Sequence, residues 1–346
     1  MTSFCARAAA GGLWPGLSPP RRPPPPCAVG RMPLRRTRSI HRKLALLPFD
    51  KLPAFLSDNE FIKEGYRVGW LASELGASVF QLHNETLNIW THLLPLVYFL
   101  LSFWANYVEE RKAASAPLCA DAWTWTRWIG AGDACLASTP QPTWPMWVYR
   151  AGVVGCFTCS TVAHTFACHN PVASDTLWQF DYAGIAILIT SSFFPPVFYG
   201  LSCAAPMLST AYLVSIVALG VLTIVVTFAP FFSTKQMRPY RALVYVMLGS
   251  TGVVPLTHLA SLHWGTGHRN PYWSDVLVGE TCMALSYLTG AAFFATRVPE
   301  RFVPGRFDLL GASHQVFHVF IALGTFAHIY SSDVFSAWAN SGGTCM

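Results

Sequence analysis

Seven apolar segments constrain the fold of this chain more than any other feature of its sequence. They lie at about 88–107, 146–168, 182–203, 207–230, 241–262, 274–296 and 312–332. A helix rises about 1.5 Å per residue, so each segment is long enough to cross a ~30 Å hydrocarbon core. The composition agrees, because only 12% of the 346 residues are charged, against about 25% in soluble domains. We therefore predict an all-α membrane protein with seven transmembrane helices over residues 87–332.

Two different stretches precede the first apolar segment. Residues 1–43 contain no Asp or Glu and are rich in Pro and Arg, a composition that predicts a disordered basic tail. An Arg-rich start without acidic residues also resembles an organelle transit peptide, so both interpretations stay open, and Met32 is an alternative start. Residues 44–86 mix apolar and charged side chains, and we expect a cytosolic amphipathic segment with a short helix at 73–82 on the membrane surface.

The distribution of Lys and Arg predicts the orientation of the chain, because these residues accumulate in cytosolic loops. All but five of the 23 fall on one side, together with the N-terminus. The exceptions are Arg111, Lys112, Arg127, Arg150 and Arg269. We predict a cytosolic N-terminus and an outside C-terminus, with residues 333–346 as a short external tail. The net charge of +6 thus reflects membrane topology and does not indicate nucleic acid as a partner.

The cysteines leave the compartment open. In the predicted topology Cys119, Cys135, Cys203 and Cys345 lie outside, where a disulfide and free thiols are both compatible with the sequence. Cys156 and Cys159 lie within one span, where we expect packing. The plasma membrane or an endomembrane is the expected location, and an organelle membrane is also compatible with the N-terminal tail.

A pair of histidines in the last apolar segment predicts a metal site. His314 and His318 are four residues apart and therefore share one helix face, a spacing that presents two imidazoles to one metal ion. The topology places His164 and Asp181 at the same membrane depth. Three histidines and an open fourth position are the ligands of a catalytic zinc ion. A lone membrane histidine more often makes a helix–helix hydrogen bond, so packing is the alternative.

Other polar residues in the spans also call for interpretation, because ionisable groups there are costly and by default indicate function. Asp181 would hold a metal-bound water or accept its proton. Ser160, one turn before His164, would hydrogen-bond the substrate or a ligand. Glu280, in the outer half of the sixth segment, lines a cavity or pairs with a neighbour, and we expect His328 to pack.

Six short sequence motifs, taken in order along the chain, resemble those of a known family. They are Asp58-Asn59 with Gly65-Tyr66-Arg67, Asn84-Glu85-Thr86-Leu87-Asn88-Ile89-Trp90-Thr91-His92, Ser160-x-x-x-His164 with Cys168-His169, Asp181-Tyr182-Ala183-Gly184-Ile185, Val298-Pro299-Glu300-Arg301 with Pro304-Gly305, and Ser313-His314-Gln315-Val316-Phe317-His318. With these motifs in this order, residues 49–332 resemble the progestin and adipoQ receptor family, which includes the adiponectin receptors and the plant heptahelical proteins.

The resemblance implies a seven-helix fold with a cytosolic N-terminus. It implies zinc held by His164, His314 and His318, with Asp181 near the zinc-bound water, and a family link to alkaline ceramidases. The sequence departs from the family in its basic tail and in the long loop 108–145, so an extracellular or signalling ligand is not carried over from the animal receptors.

Two functions are compatible with these residues. One is an intramembrane zinc enzyme that hydrolyses ceramide or another lipid amide, with Asp181 and Ser160 as catalytic residues. The other is a non-enzymatic receptor or scaffold in which a structural zinc ion holds the helices together. Membrane lipids are the expected partners in both.

Overall fold

The computed structural model describes residues 44–115, 141–264 and 272–342. The predicted disordered tail of residues 1–43 lies outside the described residues, as do Cys119, Cys135 and Cys345. Secondary structure in the described ranges is helical, and the only β pairing there is an isolated bridge between Leu47 and Tyr66.

Ten α-helices follow one another in the described part of the chain. They are α1 (Ala72–Ala77), α2 (Thr86–Ser115), α3 (Trp144–Phe166), α4 (Pro171–Ser192), α5 (Phe194–Leu201), α6 (Pro206–Thr227), α7 (Arg238–Ser250), α8 (Val253–Trp264), α9 (Trp273–Thr296) and α10 (Ser313–Asn340).

These helices form the seven predicted spans. Six spans in the described ranges are long and apolar enough to cross a membrane, namely Thr86–Lys112, Pro171–Leu201, Pro206–Thr227, Arg238–Leu262, Trp273–Thr296 and Ser313–Asn340. The remaining span is α3, which has 23 residues and packs against α2 and α4. It is less apolar because it carries Arg150, which is buried and pairs with Glu110 at 3.2 Å. The chain is therefore an integral, multi-pass membrane protein.

Several helix boundaries differ from the predicted segments, and α2 continues to Ser115, eight residues past the predicted end. α4 begins at Pro171, well before the predicted start at 182, because the Asn170 side chain accepts a hydrogen bond from the Ala173 N–H and Pro171 occupies the first helical position. α10 continues to Asn340, so much of the predicted external tail is helical. Hydropathy marks where a helix leaves lipid, whereas capping residues decide where the helix ends.

Two spans are each divided into two helices. The third changes from α4 to α5 at Phe193, where Pro195 and Pro196 follow. The fifth changes from α7 to α8 at Thr251 and Gly252. Proline cannot donate the helical hydrogen bond and bends a helix. These breaks shape a cavity among α4, α7, α8, α9 and α10.

Close packing brings α3 and α4 together next to the polar residues predicted as a site. A Cβ atom on Gly184 would lie 3.1 Å from the Cα atom of Cys156, so a larger residue would push the two helices apart by a few tenths of an ångström. The adjoining core contains Phe99, Phe157 and Ile321 from α2, α3 and α10. These contacts fix the relative positions of the helices that carry the histidines.

The segment before α2 folds against the loop between α9 and α10. The backbone N–H groups of Lys63 and Glu64 donate to the Asp308 carboxylate at 2.8 and 2.9 Å, and Gly305 N–H donates to the Phe61 carbonyl at 2.9 Å. The predicted short surface helix is present as α1 with a following 3-10 turn at Ser78–Phe80. This segment thus packs on the protein, and its position at the membrane surface stays a prediction.

The described cysteines differ in oxidation state. Cys203 is disulfide-bonded, whereas Cys156, Cys159, Cys168 and Cys282 are free. Cys156 is buried in the core formed by α2, α3, α4 and α10, as expected for packing.

Candidate metal centre

Three histidines from two helices, two of them buried and His314 partly buried, form a compact group of donor atoms, which we call the tri-histidine centre. His164 lies in the last turn of α3, and His314 and His318 lie in the first two turns of α10. One ring nitrogen of each lies within 4.8 Å of the others, and the Nε2 atoms of His164 and His314 are 3.2 Å apart. The structure thus brings together the histidines that the sequence predicts as ligands.

The atoms behind two of these rings determine which nitrogen faces the centre. The Nδ1 atom of His164 is 2.7 Å from the Glu85 carboxylate oxygen, and the Nδ1 atom of His318 is 3.0 Å from the Asn88 carbonyl oxygen. Both oxygens are acceptors, so each Nδ1 carries the proton and each Nε2 keeps its lone pair. This arrangement is typical of metal-binding histidines.

The donor set fits a divalent metal ion. Three neutral imidazole nitrogens converge on one point and leave further coordination positions open, which suits zinc and other metals that prefer imidazole. Without a metal, the lone pairs of His164 and His318 would face the same buried site, where the one available donor is the Nε2–H of His314. Glu85 and Asn88 add to the fit, because the Asn88 side-chain amide donates to the same Glu85 carboxylate at 2.6 Å.

A fourth histidine supports the centre from behind. The His92 ring stacks on the His318 ring, with centroids 3.6 Å apart and planes 8° from parallel. Its Nδ1 atom is 2.8 Å from the Ser160 hydroxyl oxygen. His92 therefore connects a candidate metal ligand on α10 with Ser160 on α3.

The predicted catalytic pair lies beside the centre. Ser160 and Asp181 are both buried, and their side chains interact. Asp181 does not belong to the close group of donor atoms, but it lines a cavity that His314 also lines. A carboxylate in this position is available to a molecule in the cavity.

The cavity itself is large and mostly apolar. Its volume is about 480 Å³, and it extends from Asp181 and His314 to Glu280 and His328. Val253 on α8 and Leu285 on α9 line it, yet 59% and 61% of their surfaces are exposed. The cavity therefore opens sideways between α8 and α9, at the surface that faces the lipid.

Buried charges hold the ends of the two helices that carry the histidines. The Arg67 guanidinium donates to the His164 carbonyl at 2.7 Å and to the Thr165 carbonyl at 3.2 Å, at the end of α3. The Glu300 carboxylate accepts from the Ser313 N–H at 2.7 Å, at the start of α10. Each charge has the sign that stabilises its end of the helix dipole.

His83 fixes the backbone of the residue that supports His164. Burial, reinforced by the nearby Arg67, lowers the pKa of the His83 imidazole to about 4, so the ring is neutral at pH 7. Its Nε2 donates to the Ser78 carbonyl at 3.1 Å, and its Nδ1 accepts from the Glu85 N–H at 3.1 Å. This neutral ring positions Glu85 at the start of α2.

Sequence reasoning gave no role to several residues of the centre. The motif at residues 84–92 contains Glu85, Asn88 and His92. The motifs at residues 65–67 and 298–301 contain Arg67 and Glu300. The available signal was the motif itself, with polar residues directly beside an apolar segment. Their partners are distant in sequence, so spacing did not indicate the contacts.

The fold and this centre together define a class, namely a polytopic α-helical membrane protein with a buried tri-histidine group at one end of a lipid-facing cavity. The model of the family described as "Haemolysin-III related" matches residues 80–329. The chain belongs to this family.

Known relatives agree with the assignment. The chain is similar to "Heptahelical transmembrane protein 3" of Arabidopsis thaliana, with 37% identity over 89% of this chain and 92% of the relative. It is 35% identical to "Heptahelical transmembrane protein ADIPOR1" of Oryza sativa subsp. japonica, over 85% of both chains. It is 32% identical to "Progestin and adipoQ receptor-like protein 1" of Caenorhabditis elegans, over 85% of this chain and 62% of the relative. The predicted family resemblance is confirmed.

Proposed function

We propose that this receptor-like membrane protein is a zinc-dependent hydrolase of lipid amides such as ceramide. The observation that carries the proposal is the position of the tri-histidine centre, which lies with Asp181 at one end of an apolar cavity open to the lipid. Such a cavity with few convergent polar groups is typical of a ligand site.

The chain's own residues would hold the metal. The Nε2 atoms of His164 and His318 are directed by Glu85 and Asn88, and His314 completes the set. A zinc ion bound there supplies Lewis-acid polarisation of the amide carbonyl and a water of lowered pKa.

Asp181 would act first as the general base and then as the general acid of the reaction. Its carboxylate accepts a proton from the attacking water as the new C–O bond forms at the amide carbon. It then gives this proton to the amide nitrogen as the C–N bond breaks, which releases a fatty acid and an amine. Ser160 interacts with Asp181 and contacts His92, so it would orient the carboxyl group.

The opening between α8 and α9 determines how a substrate would arrive. Val253 and Leu285 line both the cavity and the lipid-facing surface. A substrate dissolved in the bilayer can pass sideways into the cavity without entering water. Ceramide has this character, because its amide lies between long hydrocarbon chains.

The first prediction concerns Asp181→Asn. We expect this change to reduce hydrolysis of a sensitive lipid amide by about 100-fold or more, since a positioned acid–base group contributes roughly 10²–10⁴ to rate. Metal content should stay near that of the unchanged protein, because Asp181 is not among the clustered donor atoms. The measurement is turnover of a panel of lipid amides by purified protein, before and after chelation.

Asp175→Asn is the matched control, because Asp175 lies on the same helix and is exposed. It should leave both turnover and metal content unchanged. Undiminished hydrolysis by a folded, metal-loaded Asp181→Asn protein would exclude the proposed role, and hydrolysis that survives complete metal removal would exclude the metal-dependent reaction.

A non-enzymatic receptor or scaffold is the second candidate. It is favoured by the way in which the tri-histidine centre joins α3 to α10, since a metal there would clamp two distant helices. In that case chelation would lower the melting temperature, and no lipid amide would be hydrolysed by the loaded protein. His318→Ala should reduce metal content under either function.

A further inference from the structure

A second polar group lies in the same cavity, far from the tri-histidine centre. Glu280 on α9 and His328 on α10 both line the cavity, and the Nδ1 atom of His328 is 3.0 Å from a Glu280 carboxylate oxygen. The expectation that Glu280 lines a cavity or pairs with a neighbour is met on both counts. We call these two residues the distal pair.

The distal pair is held in place by its surroundings. The Nε2 atom of His328 is 2.8 Å from the Ser192 carbonyl oxygen, and the Ser331 hydroxyl donates to the Oε1 atom of Glu280 at 2.6 Å. Only 3% of His328 is exposed, and 11% of the Glu280 side chain. Both side chains are therefore fixed before any ligand arrives.

The hydrogen-bonding capacity of the pair is not used up. Oε1 of Glu280 contacts both Ser331 and His328, whereas Oε2 accepts no hydrogen bond from any described residue. The Nδ1 atom of His328 is close to Oε1 but is not aligned for a hydrogen bond. Oε2 can therefore accept a hydrogen bond from a molecule in the cavity.

The distance between the two polar ends of the cavity matches a lipid chain. The fourteen residues from His314 to His328, which both line the cavity, correspond to about 21 Å of helix at 1.5 Å per residue. This length is close to that of a fully extended palmitoyl chain. A chain with its carbonyl group at the tri-histidine centre would therefore end at Glu280.

We propose that Glu280 and His328 bind a hydroxyl group at the far end of an acyl chain, so that the cavity selects ω-hydroxylated lipid amides. This inference rests on the proposed function, because it assumes that the carbonyl end lies at the tri-histidine centre. The hydroxyl donates to Oε2 of Glu280. Acceptor oxygens lie next to both ring nitrogens of His328, an arrangement that suits a doubly protonated imidazole. With His328 in that state the pair has no net charge, so a neutral donor suits it better than a second cation.

Ligand binding by the full-length, metal-loaded protein in lipid nanodiscs tests the inference without requiring turnover. Radiolabelled palmitate is displaced by either unlabelled palmitate or ω-hydroxypalmitate. The unchanged protein should bind ω-hydroxypalmitate about tenfold more tightly, as expected for a hydrogen bond to a charged group. In Glu280→Gln the ratio of the two affinities should fall several-fold, since a neutral amide oxygen accepts a weaker hydrogen bond than a carboxylate.

Two further variants test the same preference without changing Glu280, so the test does not depend on the folding of Glu280→Gln. Ser331→Ala removes the hydroxyl that holds Oε1 and should lower the preference. Cys282→Ser changes an exposed residue of the same helix that does not line the cavity, and should keep the preference. Equal affinities in the unchanged protein, or a full preference in folded Glu280→Gln, would overturn the inference.

The outcomes separate this inference from the proposed function. Preference for ω-hydroxypalmitate without hydrolysis of any amide supports the distal pair and contradicts the enzyme. Metal-dependent hydrolysis of palmitoyl and ω-hydroxypalmitoyl amides at equal rates, with equal binding of the two acids, supports the enzyme and contradicts the distal pair.

Discussion

At the scale of single residues, two of the three candidate ligands of the tri-histidine centre depend on the atom behind them. Glu85 directs His164, and the Asn88 carbonyl directs His318. Hydrogen bonds of this kind fix the tautomer and increase the basicity of the ligand nitrogen. Metal affinity should therefore respond to side chains that do not touch the metal.

Glu85→Gln tests this dependence. The substitution keeps the size of the side chain but removes the negative charge next to His164. We expect metal affinity to fall by about 10–100-fold, the usual effect of losing such a partner. The measurement is competition for zinc between the purified protein and a chelator of known affinity.

Glu109→Gln serves as the comparison. Glu109 also lies on α2, but it is exposed and belongs to the opposite end of that helix. Its metal affinity should match that of the unchanged protein. A Glu85→Gln protein that binds zinc as tightly as the unchanged one would show that Glu85 does not support His164.

The residue scale also shows what the sequence could predict about the site. The spacing of His314 and His318 predicts a shared helix face, because that relation is local. The contact between Glu85 and His164 joins residues 79 positions apart, so no local pattern indicates it. A carboxylate at the edge of an apolar segment is equally compatible with an ordinary boundary charge.

At the scale of helices, the centre is built from helix ends. α2 begins beside it, α3 ends there and α10 begins there. Helix ends have unpaired backbone groups, and here Arg67 and Glu300 satisfy them from the buried side. The histidines are therefore only as well positioned as the ends of α3 and α10.

Glu300→Gln should loosen the start of α10. The carboxylate accepts hydrogen bonds from both the N–H and the hydroxyl group of Ser313 and from the Asn59 amide, and a glutamine NH₂ group cannot accept. We expect the free energy of unfolding to fall by about 1–3 kcal/mol, the cost of unpaired buried groups. Unfolding by a denaturing detergent in mixed micelles measures this change.

Glu64→Gln provides the control, because the Glu64 side chain is exposed on the same side of the protein. It should change the unfolding free energy by less than about 0.5 kcal/mol. If Glu300→Gln were no more destabilising than Glu64→Gln, the carboxylate would not be what anchors α10.

The sequence predicted the presence of each helix better than the residues at which it begins and ends. α4 starts at Pro171 because of a cap formed by Asn170, and α10 continues beyond residue 332 because no capping or breaking residue stops it there. Apolar patterning reports burial in lipid, and both helices extend past that region.

At the scale of the whole molecule, the orientation in the membrane is still a prediction. The Lys and Arg distribution places the N-terminal tail in the cytosol, and a disulfide at Cys203 would then lie on the oxidising side. In sealed vesicles with the cytosolic face outward, we expect added protease to remove an epitope tag placed before Met1.

A tag after Met346 should be protected in the same vesicles until detergent is added. Protection of the N-terminal tag together with cleavage of the C-terminal tag would reverse the predicted topology. Cleavage of both tags would be incompatible with an odd number of spans.

The seven spans could be predicted because hydrophobic length in a membrane is a direct requirement of burial in lipid. The cavity could not be predicted from the sequence. Its shape depends on the interruptions at Phe193 and at Gly252 and on how the bent helices pack. Side chains that line it are apolar, as are those that face lipid, so hydropathy does not separate the two.

The position of the histidines in the chain has a consequence for biosynthesis. His164 emerges from the ribosome with the second span, but its partner His314 follows 150 residues later, in α10. A chain that stops before α10 therefore lacks two of the three donor side chains. Since a ligand stabilises the state that contains its whole site, we expect metal to bind only after α10 has been synthesised and packed against α3.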